Sequence, residues 1–465
     1  MQRQILIPLI VACALFMENM DSTVLATSLP AIAADIGENP LALKLALTSY
    51  LVSLAVFIPI SGWVADRFGS RTIFATAIVV FMCGSLLCAV SGTLTAFVLA
   101  RFVQGIGGAM MVPVGRLVLL KTVPKSGLVE ALNYLTVPAL LGPIIGPVLG
   151  GLITEYFNWR GIFLINVPIS ILGLVLVLRH IPNIRESELP SLDLRGFMLL
   201  GIGLSLLVLG LSALGGHLLR GAATAACIAI GALALAGYAW HARSVRDPVL
   251  DLELLKYSTF RAGILGGSLF RIGVGATPFL LPLLFQLGFG LDPFHSGLLS
   301  CTTAVGAMFV KTATVMILKR YGFRRVLVAN AVLAAAGTGV YGLFTAGTPQ
   351  AIIIAVLLLS GCLRSLQFTA IAAVTFAEIT RATMSQAASV QSMAARLSQS
   401  IGVAVAAYVL QISSDLQGHA AVVTADFWPT FIVIALISAA SIFSNLAIAP
   451  DAGAEISGHG KKKTP

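Results

Sequence analysis

Polar residues are scarce along this chain, and they come in short clusters. Between the clusters run apolar stretches of about 20 residues or more, the length a helix needs to cross the hydrocarbon core of a bilayer. Read this way, the sequence predicts about fourteen spanning helices. Six lie near 5–28, 43–64, 72–92, 95–117, 128–153 and 162–180. Two follow near 194–214 and 220–241, and six more near 261–286, 296–318, 326–345, 350–372, 385–411 and 428–450. The longest polar stretches, 182–193 and 242–259, flank the middle pair and read as connectors. The pattern predicts an all-α membrane protein. It has an N-terminal six-helix bundle over 1–190, two accessory transmembrane helices over 191–245, a C-terminal six-helix bundle over 246–450 and a disordered cytoplasmic tail over 451–465.

An internal echo points to two halves of common origin. DRFGSR at 66–71 follows the second predicted helix, and KRYGFR at 319–324 follows the tenth. Both are short turns with the same basic, aromatic and glycine order. Paired bundles around a midplane site are how many secondary transporters achieve alternating access.

Composition narrows the class. Charged residues are only 10% of the chain and hydrophobic ones 58%, whereas a soluble domain carries roughly 25% charged residues. The formal charge of +10 does not indicate nucleic-acid binding, because the basic residues fall in gaps between apolar runs and not on the face of a soluble fold. With a cytoplasmic N-terminus, roughly 20 of the 29 Lys and Arg fall on the inner side, which is how membrane proteins fix their orientation. They include Lys121, Lys125, Arg179, Arg185, Arg243, Arg246 and the lysines at 461–463, against Lys44, Arg160 and Arg220 outside. Adding or dropping one helix midway would scramble that asymmetry. The expected location is a bacterial-type inner membrane, with both termini cytoplasmic. The first apolar run holds Glu18 and Asp21 and reads as an uncleaved spanning helix, not a signal peptide. The six cysteines lie in apolar stretches without a C-x-x-C pair, which suits packing better than a disulfide or a metal site.

Charges inside spanning helices are costly and mark functional candidates. Glu18 and Asp21 are three apart and share a helix face, and neighbouring buried carboxylates raise each other's proton affinity. Arg101 lies at a depth comparable to Asp21, which predicts either a proton-sensitive pair or a static ion pair. Arg116 shares the fourth helix, and the second half adds Arg271, Lys311, Arg364 and Arg396. In GWVADRFGSR at 62–71, Gly62 suits close helix contact, Gly69 a tight turn, and Asp66 the positive end of a neighbouring helix. Arg67 and Arg71 complete that turn. GPIIGPVLGG at 142–151 sets Gly142, Gly146 and Gly150 four apart for close packing, with Pro143, Pro147 and Gly151 beside them. No phosphate-binding loop, metalloprotease motif or nucleophile elbow occurs, so neither an ATP motor nor an enzyme is expected.

Together these runs resemble the fourteen-helix drug:H+ antiporters of the major facilitator superfamily, the EmrB/QacA type, over nearly the whole chain. MDSTVLATSLP at 20–30 is similar to that family's first-helix motif. Arg101, Gln104 and Gly105 are similar to its helix-four motif, and WRGIFLINVP at 159–168 to the stretch entering helix six. GGAMMVPVGR at 107–116 and SLQFT at 365–369, with Gln367, resemble the MdtD-like branch. The resemblance implies proton coupling through Asp21 and Arg101, an inner gate at Asp66 and Arg67, and exchange, not symport, through 142–151. It implies a monomer that moves a small molecule and protons without a cofactor. This chain departs from exporters of lipophilic cations, which use buried acids often including one in the second half. Here the deep second-half charges are all basic. Organic anions or metal–carboxylate complexes are the expected cargo, lipophilic cations the alternative, and a transport-dead receptor or scaffold a third reading.

Overall fold

The computed structural model describes residues 2–123, 128–186, 191–214, 221–380, 383–419 and 421–450, with 452, 453 and 455. Lys125, Arg220, the lysines at 461–463 and the rest of the 451–465 tail lie outside the described residues. Among the described residues no strand occurs, and fourteen helical spans are long and apolar enough to cross a bilayer. In lipid a helix satisfies every backbone N–H and C=O within one segment, which is why an apolar chain of this kind takes that form.

The spans are α1 Ile5–Ile36, α2 Pro40–Phe68, α3 Ser70–Val90, α4 Leu94–Thr122, α5 Leu128–Tyr156, α6 Gly161–His180, α7 Leu194–Ala213 and α8 Gly221–His241. They continue as α9 Ser258–Gly288, α10 Pro293–Tyr321, α11 Phe323–Leu343, α12 Gln350–Thr375, α13 Met384–Gln417 and α14 Thr424–Leu446. The chief difference from expectation is at the ends. α1 runs on to Ile36, where Asp35 accepts hydrogen bonds from Arg160 Nη1 at 2.7 Å and Trp159 Nε1 at 3.2 Å.

Two breaks trace to proline. α6 is interrupted at Ile165, just before Pro168, and α9 at Ala276, just before Pro278. Proline has no N–H to give and clashes with the carbonyl four residues back, which weakens the turn before it.

The chain forms two compact units, Met1–Leu250 with Asp292–Leu298, and Asp251–Leu291 with Leu299–Pro465. In the first, α1 packs along α5, α4 lies between α2 and α3, and α6 rests on α3. Val11, Phe74, Phe81, Met111 and Val114 are among its fully buried apolar side chains. The middle pair α7 and α8 belongs to this unit, with α7 against α2. Phe57 meets Phe197 edge-on at 5.8 Å, and Lys44 Nζ donates to Leu214 O at the end of α7 at 3.4 Å. In the second unit α9 packs on α13 and α14, and α11 on α12 and α14, around Phe270, Leu327, Ala370 and Val374.

The echo in sequence is an echo in conformation. Gly69 between α2 and α3 has φ +101°, and Gly322 between α10 and α11 has φ +75°. Each supplies the left-handed backbone that lets two spans join with one residue between them.

Candidate functional site

The glycines of α4 let it sink between its neighbours. A methyl at Gly105 would stand 2.7 Å from Ser53 Cβ of α2, and a methyl on Gly84 of α3 would stand 2.5 Å from Gln104 Cα. That depth carries Arg101 and Gln104 into the middle of the first unit, where both are 0% exposed.

There the two expected charges meet. Arg101 Nη1 donates to Asp21 Oδ2 at 2.7 Å and to Gln104 Oε1 at 2.5 Å. The guanidinium also lies 4.3 Å from the centre of the Tyr50 ring. Two amides hold the other carboxylate oxygen. Gln104 Nε2 donates to Asp21 Oδ1 at 2.8 Å, and Asn166 Nδ2 does so at 2.9 Å. The same two amides donate to Ser85 Oγ at 2.8 and 2.9 Å. Asp21, 3% exposed, thus accepts three hydrogen bonds, and the cluster ties α1, α3, α4 and α6 together at one point. Glu18 lies one turn away on α1 and is 1% exposed.

Sequence reasoning named Asp21, Glu18 and Arg101 for this place and quoted Gln104 within a motif. It missed Asn166, Ser85 and Tyr50 as partners. A signal for Asn166 existed: it is the one amide in the run 159–168, and it stands at the break in α6.

The glycine strip of α5 faces α1. A methyl on Gly142 would sit 2.9 Å from Met20 N and one on Gly150 2.5 Å from Thr27 Oγ1, while one on Gly146 would overlap Thr23 Oγ1. These α1 residues bracket Asp21. Gly151 points elsewhere, toward Phe294 Cα at 2.8 Å from a methyl so placed. Pro143 and Pro147 lie inside an unbroken helix.

The turn after α2 is built differently from expectation at Gly62, which makes no close helix contact, since a methyl there meets nothing within 4 Å. Asp66 has a cation as its partner: Lys121 Nζ of α4 donates to its Oδ1 at 2.7 Å and to Glu186 Oε1 at 2.6 Å. The segment after α6 is laid across the turn. Ser70 N donates to Ile184 O at 3.0 Å and Glu186 N to Asp66 O at 3.0 Å. Gly69 has no room for a side chain, because Asn183 Cγ would stand 2.7 Å from its methyl. Arg67 is exposed and Arg71 half-buried.

The remaining candidates are scattered. Arg116 of the first unit is exposed, as is Lys311 of the second, while Arg271, Arg364 and Arg396 are half-buried. Arg271 lies 5.3 Å from the centre of the Phe368 ring and close enough to Arg396 for the two charges to repel. Among the described residues, no carboxylate forms a salt bridge with Arg271 or Arg364. Gln367 is withdrawn from any cavity. Its Oε1 accepts from Asn330 Nδ2 at 2.8 Å and its Nε2 donates to Leu327 O at 3.1 Å, which makes it part of the α11–α12 packing.

Fourteen spans in two compact units, with a buried acid–arginine cluster in the first, define a polytopic membrane transporter. The family described as Major Facilitator Superfamily matches residues 11–265. A protein from Escherichia coli (strain K12 / DH10B) bearing the multidrug-resistance name MdtD is 39% identical over 436 residues, 93% of this chain and 92% of the relative. The chain therefore belongs to the major facilitator superfamily. Solved structures agree on the fold. A D-xylose–proton symporter superposes with a TM-score of 0.69 at 14% identity, covering 96% of this chain and 98% of that one. The human organic anion transporter MFSD10 does so with 0.63 at 15%, covering 95% and 99%.

Proposed function

We propose that this major facilitator transporter, of the multidrug efflux type, exports a small molecule across a bacterial inner membrane in exchange for protons. The carrying observation is the Asp21 cluster. A charged carboxylate only accepts hydrogen bonds, and here three donors are aimed at it. A protonated carboxyl is itself a donor, so proton uptake by Asp21 must turn at least one of those donors away. That loosens the joint between α1 and α3, α4 and α6. Breaking a buried ion pair costs about 3–5 kcal/mol, enough to shift a two-state conformational balance decisively. The glycine strip of α5 passes such a change along α1, because the two helices touch backbone to backbone. Lys121, between Asp66 and Glu186, fastens the inner turn of the same unit.

Orientation follows from charge, with both termini and the Gly69 and Gly322 turns on the cytoplasmic side. A monomer suffices, since each chain carries both units. For cargo, the second unit offers arginines at Arg271 and Arg364 with no ion pair among the described residues, which favours organic anions or metal–carboxylate complexes. A second reading, lipophilic cations, is favoured by Glu18, a second buried acid on α1.

The test is proton movement in inverted membrane vesicles with an acid interior. Proton efflux on adding citrate, with or without iron, and its loss in Asp21→Asn, is the expected result. Efflux with ethidium alone would support the cation reading. No efflux with any of these, while an Asp21→Asn strain keeps wild-type signalling, would turn the reading toward a receptor.

A further inference from the structure

Within the second unit, α9 is broken at Ala276, and a recess opens beside the break. Interrupted spans at membrane depth are tolerated where they line a cavity, and transporters place binding sites there. The recess measures about 260 Å³ including its mouth and is lined by Arg364, Tyr341, Ser360, Thr277, Thr303 and Thr338 among others. No acid lines it. Arg364 makes neither a hydrogen bond nor a salt bridge with any described residue.

The hydroxyls differ in what they have left to give. Thr303 Oγ1 donates to Ser300 O at 3.0 Å and Thr338 Oγ1 to Ala334 O at 2.9 Å, so their protons are committed to their own helices. Tyr341 and Ser360 set their hydroxyls close enough to interact, so the two offer at least one O–H between them. Thr277 Oγ1 has no partner among the described residues and keeps its proton. The recess therefore presents a guanidinium fork and two hydroxyl donors. That donor set fits the four lone-pair directions of one carboxylate. Most of that volume is the open mouth and the enclosed part is about the size of one water, so the recess takes at most a small polar headgroup and leaves the body of the molecule outside.

We infer that the Arg364 recess is an anion subsite that takes a single carboxylate carried on an apolar or weakly polar body. This rests on the anion reading above and deepens it: one guanidinium answers one negative charge, so the recess reads one carboxylate per molecule, with monocarboxylates its simplest ligands and citrate presenting one of its groups there.

The full-length protein in detergent tests it by ligand-induced thermal stabilisation, since a ligand that binds only the folded state raises the melting midpoint. The probes are sodium benzoate and benzyltrimethylammonium chloride, of similar bulk and opposite charge. Benzoate is expected to stabilise the wild type, with apparent affinity weakened about tenfold or more in Arg364→Gln and severalfold in Thr277→Val. Arg364→Lys, which keeps the charge without the fork, should fall between wild type and Arg364→Gln. Elution volume and melting without ligand report whether each variant is folded, and Thr277→Val carries the test if Arg364→Gln is not. Equal stabilisation of wild type and both variants would overturn the recess while sparing the anion reading. Stabilisation by benzyltrimethylammonium alone would overturn both, and no response to either probe would overturn the recess as a monocarboxylate site.

Discussion

At the scale of single residues, the first unit turns on how three donors hold one carboxylate. Asn166→Leu keeps the volume of the side chain but removes its donors to Asp21 and Ser85. An unmet buried polar group costs about 1–3 kcal/mol, so thermal inactivation in detergent should fall to a lower temperature and gradient-driven transport should drop severalfold. Unchanged inactivation and transport would mean that Asn166 holds nothing. Asp21 and Arg101 can be read from the sequence because a charge inside an apolar run is conspicuous. Ser85 cannot, and Asn166 shows only as a lone amide in its run, because a neutral polar residue in a spanning helix is commonly satisfied by its own backbone and nothing local announces a distant carboxylate. The second-half cations illustrate the converse. Lys311 and Arg364 look alike in sequence, but one is exposed and the other opens on a recess.

Among the elements, glycine decides what can approach what. Gly146→Ala would press a methyl into Thr23 and lever α1 away from α5, and transport should fall about tenfold while the protein still folds. Adding Thr23→Ala removes the overlapped oxygen, and part of the activity should return, the non-additivity expected of residues in contact. If the double variant were as poor as the single one, the contact with Thr23 would not be the cause. The two glycines of the α2–α3 turn make a contrasting pair. Gly69→Ala puts a side chain at φ +101° and against Asn183, and should destabilise by about 1–3 kcal/mol. Gly62→Ala meets open space and should leave the melting midpoint unchanged. A four-residue spacing shows in the sequence that α5 has a packing face, but not that α1 is the partner. The tight turns were legible at both Gly69 and Gly322, since a glycine between two basic residues has few other uses. The role of Glu186 was not, because its ion pair with Lys121 joins residues 65 apart through a segment that reads only as a connector.

For the molecule as a whole, hydropathy sufficed for the number and order of spans, because bilayer thickness sets one length for all of them. It could not assign the middle pair. Its helices are as apolar as the rest, and only the packing of α7 on α2 shows that they belong with the first unit. Whether protonation of Asp21 drives transport is decided in proteoliposomes. Asp21→Asn should abolish uptake of ethidium or benzoate driven by an imposed pH gradient and yet leave downhill exchange of the same compound measurable, since the neutral amide mimics a permanently protonated acid. Gradient-driven uptake by Asp21→Asn at the wild-type rate would show that the proton is not carried at Asp21.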